Sequence, residues 1–257
     1  MKLLKRWIFP AILILSVLLR FADYSNRWGL GYDQASFAIV AKHALASLQL
    51  PLLGPFSSGG PFQTGGMWYW TIMAGMIFFP GLVYGPWLFM GVLSTALVAG
   101  MIIAGTFIGG TPLGLLTGLF SAISTAQITQ STNLSNQTPI GLPSVLALIA
   151  GLAYVKTNRP AYLFFLGLAV GAASSIHLQG LGLLPLVIVS VLLGSRPSLR
   201  GFVFLGIGLL LPWLSVFWAD AGHGWYNTKN MIRYYTVDQY RISLDVLGRE
   251  RLPNHGF

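Results

Sequence analysis

The chain contains no cysteine, which excludes disulfide frameworks, thiolate metal centres and a thiol nucleophile. Charge is almost as scarce. Only 8% of the 257 residues are charged, against roughly a quarter in an average globular chain. So few charges cannot coat a water-soluble globule of this size, and an aqueous enzyme is excluded. Acids are the rarest, with six Asp and Glu against 15 Lys and Arg and a formal net charge of +9. Four histidines with no His-x-x-x-His pairing argue against a metal site. No phosphate-binding loop, dinucleotide fingerprint or Ser-His-Asp order emerges. Nucleic acid is disfavoured as a partner, because no basic stripe interleaves with aromatics.

What the chain does have is apolar length. It is 54% hydrophobic, with a mean hydropathy of +0.70. Such a composition predicts an all-α, polytopic membrane protein. The chain opens with Lys2, Lys5 and Arg6, followed by the apolar stretch Trp7–Phe21, and Arg20 then bulky Phe21 stand where a signal peptide would have small residues. A retained first transmembrane helix follows, with the basic start in the cytoplasm. Further uncharged runs cover Met67–Tyr84, Gly85–Phe107, Pro112–Gln130, Ile140–Val155, Ala161–Ile176, Leu181–Leu193 and Gly201–Trp218. The basic linkers at Lys156–Arg159 and Arg196–Arg200 are expected on the inner side. The N-terminus and Lys156 can share a side only if an even number of crossings separates them. Met67–Pro80, about 14 residues, is too short to span and is expected to lie in the outer interface, held by Trp68, Tyr69 and Trp70.

About seven crossings then remain in a module spanning 1–218, with an outer loop at 22–66, the interfacial segment at 67–80 and an extracytoplasmic tail at 219–257. All six acids, Asp23, Asp33, Asp220, Asp238, Asp245 and Glu250, fall on the outer side of this path. The expected location is a bacterial or archaeal plasma membrane, crossed several times, with the active face outward. Within the loop, Phe37, Val40, Ala41, Ala44, Leu45 and Leu48 recur at helical spacing, which predicts an amphipathic surface helix over Asp33–Leu48. The Gly- and Pro-rich stretch Gly54–Gly66 reads as irregular backbone able to fold around a ligand.

Asp33 opens that surface helix. It reads as an N-cap, accepting first-turn N–H groups, and also as a general base for an acceptor hydroxyl. A carboxylate at a helix N-terminus suits both roles. His177 and Gln179 sit where a span meets the outer surface; an interfacial polar pair satisfied by water is the plain alternative to a binding role. Lys42, Lys229 and Arg233 are outer cations that could clamp a phosphate or simply face lipid headgroups.

Four stretches together resemble the GT-C superfamily of polyprenyl-phosphate-sugar-dependent glycosyltransferases, nearest to its Rgt-type and protein O-mannosyltransferase-like branches. They are Gly31-Tyr32-Asp33-Gln34-Ala35; Leu52-Leu53-Gly54-Pro55 through Ser58-Gly59-Gly60, Gly65-Gly66 and Trp68-Tyr69-Trp70; Ile176-His177-Leu178-Gln179; and His223-Gly224-Trp225-Tyr226-Asn227-Thr228-Lys229. The resemblance implies a seven-helix module with a catalytic acid in the first outer loop, here Asp33. It also implies a lipid-linked sugar donor held beneath that loop. Gln34, Lys42, His177, Gln179, Asn227, Lys229 and Arg233 become the substrate-binding candidates, and a glycan, lipid or protein hydroxyl the acceptor. Two departures stand out. Gln34 replaces a second acid common in the family, and Ser131–Thr138 contains none. Few carboxylates are left to hold a metal, so metal-independent chemistry with no cofactor is expected, or else a non-catalytic relative. The end at Asn254-His255-Gly256-Phe257 falls where relatives continue, so an N-terminal fragment is expected. The rival readings are a lipid-linked glycan transporter, which usually carries ionisable groups inside its bundle, and a non-enzymatic assembly protein.

Overall fold

A computed structural model describes residues 2–57, 60–195 and 197–237. Ser58, Gly59, Arg196 and the tail beyond residue 237, with Asp238, Asp245 and Glu250, lie outside the described residues. The fold is all-α, 78% helical. In chain order it comprises α1 (Lys2–Phe21), α2 (Tyr32–Ser47), the strands β1 (Leu53–Phe56) and β2 (Gln63–Gly65), α3 (Met67–Phe78), α4 (Gly85–Ile123), α5 (Thr125–Gln130), α6 (Gly141–Thr157), α7 (Pro160–Ile176), α8 (Leu184–Leu193), α9 (Leu199–Leu210), α10 (Leu214–Ala221) and α11 (Tyr226–Thr236). Three helical segments are long and apolar enough to cross a membrane: Gly85–Ile123, Thr138–Thr157 and Leu199–Ala221.

Local sequence sets many of the boundaries. Prolines occupy the first turns of α4, α7 and α8, where no N–H is needed. Ser124 and Ser198 cap α5 and α9, their hydroxyls accepting from Gln127 N and Gly201 N. The longest helix is interrupted. Gly109 leaves helical geometry and Gly110 takes φ 73°, a conformation open to glycine, so α4 folds back on itself. Its arms then lie side by side: Thr117 Oγ1 donates to the Met101 carbonyl at 2.9 Å, and a side chain at Gly114 would meet the Ile102 carbonyl at 2.6 Å. The same device joins α7 to α9, where side chains at Gly167, Gly171 or Gly208 would strike the facing backbone.

The bundle has two distinct ends. At one end, Tyr154 donates to the Ser195 carbonyl at 2.7 Å, Ser195 N donates to Asn158 Oδ1 at 2.8 Å, and the Lys156 ammonium donates to the Phe107 carbonyl. At the other end sits a layer of short elements with its own core, in which Tyr24, Ala41, Ala44, Trp68, Tyr69, Ile72, Trp87, Leu134 and Ile176 pack together. Trp68 is completely buried and meets Phe37 edge-on at 5.8 Å, a contact worth about 0.5–1.5 kcal/mol beyond the area it buries.

Several expectations need correcting here. Trp68 and Tyr69 do not sit in lipid headgroups; α2, α4 and α7 enclose them. Trp70 is half-buried, its indole N–H donating to the Pro51 carbonyl at 2.8 Å. Part of Gly54–Gly66 is regular after all, since β1 and β2 pair antiparallel with a register irregularity between Leu53 and Phe56. The surface helix buries Ala41 and Ala44, whereas Val40 is exposed, and so is Leu48, which ends the helix in a left-handed conformation, φ 54°.

Candidate functional site

The candidate residues gather on the layered end. Asp33 is the second residue of α2 and is exposed. It is not the N-cap: Gly31 holds that position and no side chain caps the helix. Starting the helix one residue earlier puts the carboxylate inside the first turn, beside the N-terminal dipole. Among the described residues it has no hydrogen-bond partner, so both oxygens are free for an incoming proton donor.

Gln34 leads inward from there. Its Nε2 donates to Asn133 Oδ1 at 3.4 Å, and Asn133 Nδ2 donates to Gln130 Oε1, also at 3.4 Å. Both bonds are long and correspondingly weak. Thr138 Oγ1 is placed 3.1 Å from Gln130 Oε1 and 2.9 Å from the Asn133 carbonyl, closing the network. The start of α2 and the segment between α5 and α6 therefore meet through amides and hydroxyls. The network ends at a cavity of about 310 Å³ with a mixed lining, polar at Ser94, Gln127, Gln130, Gln137 and Thr138 and apolar at Leu93, Leu97 and Leu142.

Behind that cavity stands Arg20, near the C-terminal end of α1. It is fully buried. Its guanidinium donates to Ser94 Oγ at 2.7 Å, to the Ala122 and Ser121 carbonyls at 3.0 and 3.1 Å, and to Gln127 Oε1 at 3.3 Å. All four acceptors are neutral. Arg27 donates to the carbonyls of Leu19 and Ala22, at 2.9 and 3.1 Å, and of Ile128 at 3.2 Å, tying the end of α1 to α5. Tyr24 donates to the Ser131 carbonyl at 3.2 Å, and burial pushes its phenol well above the usual range despite nearby Arg27.

The remaining candidates have mostly local work. His177 follows α7, half-buried; its Nδ1 accepts from Gln179 N at 3.1 Å and so caps the short 3-10 turn Leu178–Leu183. Burial lowers its imidazole below the ordinary histidine value. The Gln179 side chain is exposed. Asn227 is buried, and its amide lies on the β2 backbone, Oδ1 accepting from Gln63 N at 2.6 Å and Nδ2 donating to Gln63 O at 3.1 Å. Asp220 caps α11, accepting from Asn227 N at 2.8 Å and Thr228 N at 2.7 Å. Lys229 is exposed, its ammonium donating to the Gly224 carbonyl at 2.8 Å, and Arg233 is exposed one turn further along the same helix. Lys42 is exposed on a different element, α2. Among the described residues no group of three His, Asp or Glu side chains gathers.

Arg20, Gln127, Gln130 and Asp220 were not picked out by sequence. A usable signal was present for two of them: Gln127 and Gln130 are amides three apart in an uncharged stretch, hence neighbours on one helical face. No family model, curated protein or solved structure matches the chain.

Proposed function

We propose that this chain is a membrane glycosyltransferase of GT-C type, moving a sugar from a polyprenyl-phosphate donor to a hydroxyl acceptor on the extracytoplasmic face. The observation that carries the reading is the Asp33 carboxylate, unpartnered among the described residues, one residue from the amide network that ends at a cavity of mixed polar and apolar lining. Such a cavity suits a ligand that is polar at one end and hydrocarbon at the other.

The proposed path crosses the membrane about seven times, through α1, the two arms of α4, α6, α7, α8 and the α9–α10 pair. The fold-back at Gly109–Gly110 beside Lys156 supports it, as does the grouping of Asp33 with Asp23 and Asp220 away from the basic linkers. In the transfer step the acceptor oxygen attacks the anomeric carbon, forming a new C–O bond as the bond from that carbon to the phosphate oxygen breaks. Asp33 takes the acceptor proton and the lipid phosphate leaves as an anion, steadied by outer cations such as Lys42, Lys229 or Arg233. Positioning and charge stabilisation carry most of the catalysis, because phosphate is already a competent leaving group.

One observation favours a second reading, a lipid-linked glycan transporter: Arg20 is an ionisable group buried within the bundle. Purified protein offered radiolabelled polyprenyl-phosphate sugars and an envelope acceptor separates the two. Under the transfer reading Asp33→Asn loses about 10²–10⁴-fold in rate with membrane insertion intact. Wild-type turnover by that variant would sink the assignment of Asp33, and flipping without transfer would favour the transporter.

A further inference from the structure

We infer that the cavity between α4, α5 and the start of α6 is a binding site for the phosphate of a lipid headgroup, with Gln127 as its principal donor and Arg20 as its buried counter-charge. A guanidinium can only donate. The Gln127 amide must therefore turn its oxygen to Arg20 Nη2 at 3.3 Å, where Ser121 Oγ also donates to it at 2.7 Å. Its two N–H groups then face away from Arg20, and among the described residues no acceptor meets them. Gln130 repeats the arrangement: its Oε1 accepts from Thr138 Oγ1 at 3.1 Å and from Asn133 Nδ2 at 3.4 Å, leaving its N–H groups for the same cavity.

The cavity wall thus presents N–H donors, and no carboxylate lines it. Arg20 lies behind, fully buried, with its hydrogen bonds spent on neutral oxygens. Neutral acceptors satisfy its hydrogen bonds but leave its charge uncompensated, and a buried unpaired charge is unfavourable. An anion in the adjoining cavity supplies the missing charge and accepts from the two amides. Leu93, Leu97 and Leu142, which line the same cavity, call for hydrocarbon next to that anion. Oxygen-rich anion and alkyl chain in one molecule describe a phosphate-bearing lipid. The proposed transfer would use such a site, but the inference is scored by binding alone and stands whether or not Asp33 is a catalytic base.

The test uses the full chain in detergent micelles, with lipid binding followed by native mass spectrometry. The probes are phosphatidylglycerol and undecaprenyl phosphate, each against its phosphate-free counterpart, diacylglycerol or undecaprenol. At least one phosphate lipid should bind about tenfold or more tightly than its counterpart, and Gln127→Glu should lower that affinity by a similar factor. The new carboxylate keeps an oxygen for Arg20, so Gln127→Glu should retain or raise the melting temperature. Gln130→Glu, on an exposed residue, is the second variant and should weaken the same lipid. Preference for phosphatidylglycerol identifies a bilayer lipid as the occupant, and preference for undecaprenyl phosphate identifies a carrier lipid; either supports the site. No preference for phosphate in either pair, or wild-type affinity in both variants, overturns it.

Discussion

Replacing Asn227 by alanine separates a structural role from a binding one. The wild-type amide lies across Gln63, taking its N–H at 2.6 Å and giving to its carbonyl at 3.1 Å. Alanine strands both backbone groups. A net hydrogen bond is worth about 0.5–1.5 kcal/mol and a stranded buried group costs about 1–3 kcal/mol. Gln63 is only half-buried, so water repairs part of the loss, and about 2 kcal/mol is a fair estimate for the pair. The consequence should be local. Besides Asn227, α11 is held to the hairpin by Asn230 Nδ2, which donates to the Pro61 carbonyl at 3.1 Å, and by Phe62, packed 5.4 Å from the Tyr234 ring. Backbone hydrogen exchange is the suitable assay. About 2 kcal/mol corresponds to roughly 30-fold faster exchange through local opening, expected in α11 and residues 62–65, with α6 and α7 unchanged. Unaltered exchange in α11, combined with a weakened affinity for a glycan or lipid substrate, would refute the structural tie and restore Asn227 to the binding residues.

Two further outcomes can be checked directly. Burial lowers the His177 pKa, so the unfolded chain binds that proton more readily than the folded one. Its contribution to stability is complete above the ordinary histidine value of about 6.5 and is lost as pH falls below it toward the lowered folded value. Melting temperatures of wild type and His177→Asn should therefore converge on acidification, and a pH-independent difference would contradict this. The absence of cysteine makes topology accessible through single cysteines. Gln137 and His223, both exposed, should label with an impermeant maleimide from outside intact cells, whereas Thr157 and Ser198, exposed at the opposite end, should label only after permeabilisation. Outside labelling at Thr157 would overturn the proposed path.

The helical character and the order of the apolar segments could be read from hydropathy and charge alone, because they depend on local composition. The break between residues 107 and 112 in the apolar runs falls on the fold-back at Gly109–Gly110. Which way α3 faces could not be read. Trp68, Tyr69 and Trp70 step about 100° apart around a helix, so three adjacent rings cover most of its circumference, and only the packing of α2, α4 and α7 decides which two turn inward. Arg20 illustrates a different limit. Charge placement assigns a cation to one side of a membrane, but its burial depends on carbonyls at Ser121 and Ala122, about a hundred residues away in sequence. Asn227 reads as one more polar residue on a polar helix, and only the approach of Gln63, 164 positions earlier, gives it work. Asp33 was legible as a candidate because acids are so few; its lack of a capping role was not, since helix starts shift by a residue or two without changing the pattern.

On the proposed path, the fold-back in α4 bears on how the chain would enter a bilayer. Turning at two glycines rather than through a polar loop, the pair of arms carries no charge anywhere between Gly85 and Ile123. It therefore has no orienting signal of its own. On the proposed path its direction comes from what is translated on either side: the basic start of α1 before it, and Lys156 after it. The ribosome adds residues at about 5–20 per second, so Lys156 follows the second arm by roughly 2–7 seconds. During that interval the two arms can already satisfy each other across the Gly114 contact. They would enter as one preformed wedge, with Lys156 arriving later on the Phe107 carbonyl to fix it in place.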